Sequence, residues 1–284
     1  MGNRDRVSRF ESELSGVSPE FAAVLRKVPL QNNPPLPPDW LRCEMLERFQ
    51  VIQHAVIDPG ARVLEVGAGG HALATVPLAY QAGASGRVVA VDRARRSQFR
   101  EVVTAAGMGD RVRPVACDAR RLPFPADCFD LATCVHGIRS LRSEAIMLEV
   151  FREMLRIAPR IFLAESLPIA RTAAQRAHLA MYDLREEIFE AVSGTRDDLR
   201  YLPLHRLEQL VQQAGGSPID SRVLEVDLPH ALAYLPPDYV QRIDDPRKRE
   251  DFLRRWNEAD QLRRQHGTDH PPVGMISAAR APNR

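Results

Sequence analysis

The chain predicts an α/β fold built on a doubly wound, mostly parallel seven-stranded sheet with helical insertions. Three observations carry this. From Arg62 onward, short β-rich runs alternate with helical stretches, the pattern of a parallel sheet with crossover helices. The first run ends at glycines that open a helix, and the second ends in an aspartate about 25 residues later. Hydrophobic residues make up 44% and charged residues 27% of the 284 positions, enough apolar material for a full core.

Residues 1–60 read as a helical lead or cap. Phe21 to Val28 is a short helical segment and Gln31 to Pro38 a proline-rich break. Asp39 to Val56 carries Leu41, Met45, Leu46, Phe49 and Ile52 at helical spacing, with Asp39 as N-cap. Asp58-Pro59-Gly60 then turns the chain into the main domain, residues 61–284. Its strands are predicted at Arg62 to Val66, Arg87 to Val91, Val112 to Ala116, Phe129 to Val135 and Arg160 to Ala164. Ala72 to Ala82, Arg95 to Ala106 and Ser143 to Ile157 are the crossover helices. After Glu165 the rhythm changes. Arg171 to Val192 is one long amphipathic pattern, and its His178, Tyr182 and Arg185 share a stripe expected to be solvated or packed. His205 to Ala214 returns to the crossover pattern and Arg222 to Val226 is the sixth strand. Pro246 to Gln265 forms a helix capped by Asp245, and Gly274 to Ala279 is the last strand. Helical insertions are thus expected near residues 167–203 and 228–270.

Charge and cysteine content narrow the function. A formal charge of +2 is too small for electrostatics alone to hold a polyanion, so nucleic acid is not favoured as a partner. The mixed signs around Arg247, Arg249, Arg254, Arg255, Arg263 and Arg264 predict an ordinary exposed face, not a phosphate track. Four cysteines without close pairing, and a charged first segment with no apolar core, predict a soluble cytoplasmic protein without a membrane span. No compact ligand cluster implies a metal.

The strongest chemical signal is Val63-Leu64-Glu65-Val66-Gly67-Ala68-Gly69-Gly70-His71, a hydrophobic strand ending at glycines before a helix. Glycines allow close backbone approach to a ligand, and a helix amino end offers free N–H groups. Val88-Val89-Ala90-Val91-Asp92 adds a second strand ending in a carboxylate suited to two ribose hydroxyls. A dinucleotide-binding domain would share both features, so the next segment discriminates. Arg111 to Ala119 ends a third strand in Cys117-Asp118-Ala119, and Leu122-Pro123-Phe124-Pro125-Ala126-Asp127-Cys128-Phe129-Asp130-Leu131 follows directly.

This order of motifs, over roughly residues 61–165, resembles the class I S-adenosylmethionine methyltransferases with their Rossmann-like sheet, especially the group acting on small molecules. The resemblance implies S-adenosyl-L-methionine as cofactor and S-adenosyl-L-homocysteine as product. It implies that Glu65 orients the amino end of the methionine moiety, and that Gly67, Ala68 and Gly69 pass beneath the methionine and ribose. Asp92 would hold the ribose hydroxyls, with Arg93 and Val135 flanking the cofactor. Asp118 would accept from the adenine amino group while the Ala119 N–H meets a ring nitrogen. Simpler roles stand beside these: turn glycines, a helix-start cap at Asp92, a loop aspartate at Asp118. One departure is visible, since His71 stands where the family usually has a third glycine; this should alter the local turn, and local capping or solvent exposure is expected for His71 over ligand contact.

The fourth strand ends in Cys134-Val135-His136-Gly137-Ile138-Arg139-Ser140-Leu141, at the edge where this fold brings the transferable methyl group. His136 is therefore the candidate catalytic group, either taking a proton from an incoming nucleophile, orienting it, or simply packing against the cofactor. The Gly137-Ile138-Arg139-Ser140-Leu141 run also resembles a loop of quinone-biosynthesis C-methyltransferases, without setting the substrate. The expected function is methyl transfer to an O, N or C atom of a small or medium-sized molecule. The alternatives are a protein or RNA methyltransferase, a nicotinamide-dependent oxidoreductase, and a non-catalytic binder.

Overall fold

Six strands of the seven-stranded sheet point one way and the last runs against them, in the order β3-β2-β1-β4-β5-β7-β6. The computed structural model describes residues 14, 17–31, 38–93, 97–194, 201–226 and 238–282. The elements are α1 (Pro19–Lys27), α2 (Trp40–Ile52), β1 (Arg62–Val66), α3 (Thr75–Gln81), β2 (Arg87–Asp92), α4 (Ser97–Ala105), β3 (Val112–Ala116) and β4 (Leu131–Val135). There follow α5 (Glu144–Ile157), β5 (Arg160–Ser166), α6 (Ala173–Ser193), α7 (Leu204–Gln213), β6 (Gly216–Leu224), α8 (Pro246–His266) and β7 (Val273–Arg280).

Each sheet face has its own apolar layer. On one side α1 to α4 pack through Phe21, Met45, Phe49, Leu78 and Val102 against strand residues such as Val63. On the other, α5 and α7 pack through Phe151, Met154 and Leu210 against Leu64 and Leu163. Neighbouring Val63 and Leu64 thus point to opposite layers, as the two-residue period of a strand requires. A third cluster, Met181, Leu184, Ile188, Val240, Trp256 and Ala259, fastens α6 to α8 beyond the sheet. The chain reverses direction between β1 and β4, since β1 pairs with β2 on one side and β4 on the other. A crevice outside the carboxyl ends of the strands opens at such a switch point.

Side-chain caps mark the starts of α1, α5, α6 and α8. Ser143 Oγ accepts the Ile146 N–H at 3.2 Å, and Asp245 accepts from the N–H groups of Arg247 and Lys248. Thr172 and Gln175 form a reciprocal capping box for α6. Asp39 stands at the N-cap of α2 without a side-chain cap bond.

The larger differences from the sequence reading lie at four boundaries, one being the end of α2 at Ile52, four residues before the predicted Val56. The helix expected from Ala72 begins at Thr75, because Ala72 itself adopts a left-handed φ of 54°. β4 starts at Leu131 instead of Phe129, whose N–H turns to the Ile157 carbonyl. β6 begins at Gly216, six residues before the predicted Arg222; Pro218 and Asp220 mask it as a strand in the sequence and mark a bulge on this outer strand. Residues 32–37 of the proline-rich break, Arg95, and parts of both predicted insertions (195–200 and 227–237) lie outside the described residues. Among the described residues no helix is long and apolar enough to cross a membrane.

Candidate active site

The cleft starts where β1 stops. Gly67 and Gly69 have φ of 78° and 65°, a region that side chains disfavour. The Gly67 and Ala68 N–H groups donate to the Val91 carbonyl at 2.9 and 3.2 Å, tying this loop to the end of β2. From the same end, Asp92 accepts the Gly69 N–H at 3.0 Å. Beside this bracket lies a cavity of about 630 Å³. Glu65, Gly67, Ala68 and Gly69 border it from β1, Asp92 and Arg93 from β2, Asp118 and Ala119 from β3, and Val135 and His136 from β4. All ten positions singled out in the sequence therefore face one space. His71 borders it too, its ring edge-on to Trp40 with centroids 5.2 Å apart.

The carboxylates differ in character. Glu65 is buried and takes a 2.5 Å hydrogen bond from Thr75 Oγ1. Burial pushes its carboxyl up to about 7, against the Thr75 bond and with help from Asp92. Asp118 is open to solvent, and Arg120 grips it through its guanidinium at 2.6 and 3.0 Å and its own N–H at 2.9 Å; these bonds hold its carboxyl down to about 2. One end of the cleft thus offers a carboxyl ready to ionise against a cation, and the other a permanent anion.

The β4 end holds a buried ionic chain that the sequence reading missed. His136 has a φ of 53°, a left-handed conformation uncommon in non-glycine residues, and its N–H is anchored on the Ala164 carbonyl at 2.8 Å. Its Nε2 lies 2.9 Å from Glu47 and its Nδ1 3.3 Å from Glu165. Arg48 pairs with Glu47 at 2.9 Å and with Glu44 at 2.6 Å, while Arg139 reaches Glu165 at 2.9 Å. Burial opposes the His136 charge, but Glu47 and the bonds to both glutamates outweigh it and raise the imidazole pKa. Burial likewise opposes ionisation of Glu47 and Glu165. Their cationic neighbours prevail, chiefly His136 and Arg48 for Glu47 and Arg139 for Glu165, and hold both carboxyls down to about 2. His136 thus bridges two buried carboxylates, and both favour its charged form.

A signal for these residues was present. In α2 the apolar positions Leu41, Met45, Leu46, Phe49, Val51 and Ile52 leave no polar face, so Glu44, Glu47 and Arg48 had to be buried and paired. Their partners, on β4 and β5, are visible only in three dimensions. The predicted His178–Tyr182–Arg185 stripe divides: His178 is buried, Arg185 is exposed, and Tyr182 stacks on Tyr201 with centroids 4.5 Å apart, next to Arg139.

Residues 63–160 match the methyltransferase-domain family model. This is a class I S-adenosylmethionine-dependent methyltransferase. Its sequence is 28% identical over 198 residues to the ubiquinone/menaquinone biosynthesis C-methyltransferase UbiE of Cupriavidus metallidurans, a match covering 68% of this chain and 77% of that protein. It is 27% identical over 172 residues to the protein of the same name from Idiomarina loihiensis, covering 57% and 68% of the two chains. Among solved structures, the methyltransferase shares its fold with a cyclopropane-fatty-acyl-phospholipid synthase-like protein from Lactobacillus casei. The TM-score is 0.69 at 16% identity, covering 90% of this chain and 97% of that one. A SAM-dependent methyltransferase from Aquifex aeolicus superimposes with a TM-score of 0.50 at 15% identity, covering 84% and 93%. S-adenosylmethionine is the methyl donor, and the glycine bracket and buried Glu65 suit its methionine end.

Proposed function

We propose that the carboxyl ends of β1, β2 and β3 hold S-adenosylmethionine and that the β4 end presents a small-molecule acceptor to it. The observation that carries this reading is the meeting of Glu65, Asp92 and Asp118, from three neighbouring strands, around one cavity. Glu65 receives the methionine ammonium and Asp92 the ribose hydroxyls. Asp118 and the Ala119 N–H meet the adenine edge, while Arg93 and Val135 flank the cofactor. A cavity of about 630 Å³ shared by cofactor and acceptor falls in the range of about 300–1,000 Å³ usual for small-molecule sites. That size favours a small acceptor over a protein or RNA. The curated relatives are named as quinone-biosynthesis C-methyltransferases, which also favours a small acceptor. All four cysteines are free thiols, in keeping with a cytoplasmic enzyme.

When bound, the cofactor supplies an electrophilic sulfonium methyl group. The protein's part is alignment and exclusion of water, which accounts for much of the acceleration in such transfers. His136 serves this as a positioning residue: both ring nitrogens are engaged by carboxylates, so it fixes the turn after β4 and takes no proton from the acceptor. Calorimetric titration with S-adenosylhomocysteine tests the reading. Asp92→Ala is expected to weaken binding by about 1–3 kcal/mol, and unchanged affinity in a folded variant would refute the assignment.

A further inference from the structure

Among the cavity-lining residues that the segment from Glu65 to Ala74 supplies, Glu65 and His71 alone carry a polar side chain. Glu65 takes the methionine ammonium in the reading above, which leaves His71 without a role. The segment is tied down on both sides of this residue. Gly69 N–H bonds Asp92 at 3.0 Å, and Thr75, the first residue of α3, closes the loop by bonding the Glu65 carboxyl at 2.5 Å. Between them Ala72 turns the chain with its left-handed φ of 54°. The imidazole of His71 is half-buried at the cavity and meets Trp40, the first residue of α2, edge-on at an interplanar angle of 87°. A chain with glycine at position 71 would bring no side chain to this place.

The chemistry of the cofactor supplies the partner. Its methionine end carries an ammonium and a carboxylate on one carbon, so the carboxylate lies beside whatever takes the ammonium. Next to Glu65 and Asp92, without a donor of its own, that carboxylate would be repelled by like charge and stripped of the hydrogen bonds it makes in water. An imidazole donates a hydrogen bond in its neutral and in its charged form, and bonds to a carboxylate are among the stronger ones. The loop that holds Glu65 thus also carries a donor. Other cationic side chains at the cavity are engaged on other elements: Arg120, beyond β3, holds Asp118, and Arg139, beyond β4, holds Glu165. On α2, Arg48 is bonded to Glu44 and Glu47, and its side chain is 7% exposed. The contact with Trp40 orients the His71 ring before a ligand arrives, so little freedom remains to be lost on binding.

We infer that His71 binds the carboxylate of the cofactor's methionine end. This rests on the cofactor reading above and adds to it a residue that recognises the cofactor's amino-acid tail. The test is calorimetry with two ligands, S-adenosylhomocysteine and S-adenosyl-3-thiopropylamine, the same thioether lacking the carboxylate. Wild-type enzyme is expected to bind S-adenosylhomocysteine at least tenfold more tightly than the amine. His71→Ala and His71→Phe are each expected to cut that preference at least fivefold, with affinity for the amine held within twofold. The Phe variant keeps a ring against Trp40 while removing the donor, so it separates hydrogen bonding from packing and keeps the test valid if the Ala variant fails to fold. A preference that survives in the Phe variant overturns the inference, as do equal losses for both ligands, which would make His71 a packing residue. Equal binding of the two ligands by wild-type enzyme overturns it as well. Wild-type enzyme that binds neither ligand is a separate result, which removes the cofactor reading and this inference with it.

Discussion

Glu65 lies on the central part of the sheet with its carboxyl pushed up to about 7 by burial, so near neutrality it exchanges between acid and carboxylate. On the proposed role of Glu65, an ammonium group favours the ionised form, so cofactor capture at lower pH requires release of a proton. Affinity for S-adenosylhomocysteine is therefore expected to rise between pH 5.5 and 8 and to lose that slope in Glu65→Gln, as calorimetry at several pH values would reveal. The sign for stability is opposite. The folded-state value lies above the ordinary 4.5, so the contribution of this group declines as pH rises from 4.5 through about 7. Glu65, Asp92 and Asp118 were legible in the sequence because each sits at the end of a strand within a local motif. Glu47 and Glu165 were not, since their meaning comes from His136, which stands 89 and 29 positions away.

At the level of elements, α2 both seals the core and furnishes the site. Its Phe49 stacks on Phe21 of α1 at 3.8 Å between ring centres, while Glu47 and Arg48 reach the end of β4. Phe49→Ala is expected to destabilise the fold by about 3–5 kcal/mol in urea denaturation. The ends of β1 and β4 meet as closely. A Cβ on Gly137 would stand 3.0 Å from Cys134 Sγ and 3.3 Å from the Val66 carbonyl. Gly137→Ala is expected to cost about 1–3 kcal/mol and to weaken S-adenosylhomocysteine binding, because the shift passes into the glycine bracket. The crossover helices were readable from their apolar spacing. The start of α3 and the length of β6 were not, since a left-handed Ala72 and the ladder that β6 forms with β7 leave no periodic trace in the chain.

Across the whole molecule, pH acts through the buried ionic chain. Glu47 and Glu165 titrate at about 2 in the folded protein against an ordinary 4.5, so they add stability above 4.5 that is lost as pH falls toward 2. A fall in melting temperature between pH 5 and 3 is expected, and it should be shallower in Glu47→Gln, which starts from a lower value at neutral pH. Sheet order carries a consequence for biogenesis. β7 is the last of the seven strands in sequence, yet it lies between β5 and β6. While the ribosome is still translating α8, the five strands β3-β2-β1-β4-β5 can already assemble, and with them every strand that borders the cofactor cleft. Until Val273 to Arg280 emerges, however, β5 displays a bare hydrogen-bonding edge and β6 has no partner. Nascent chains stalled in that interval would bind ligand before they were safe from aggregation, which makes the closing strand the step most in need of a chaperone.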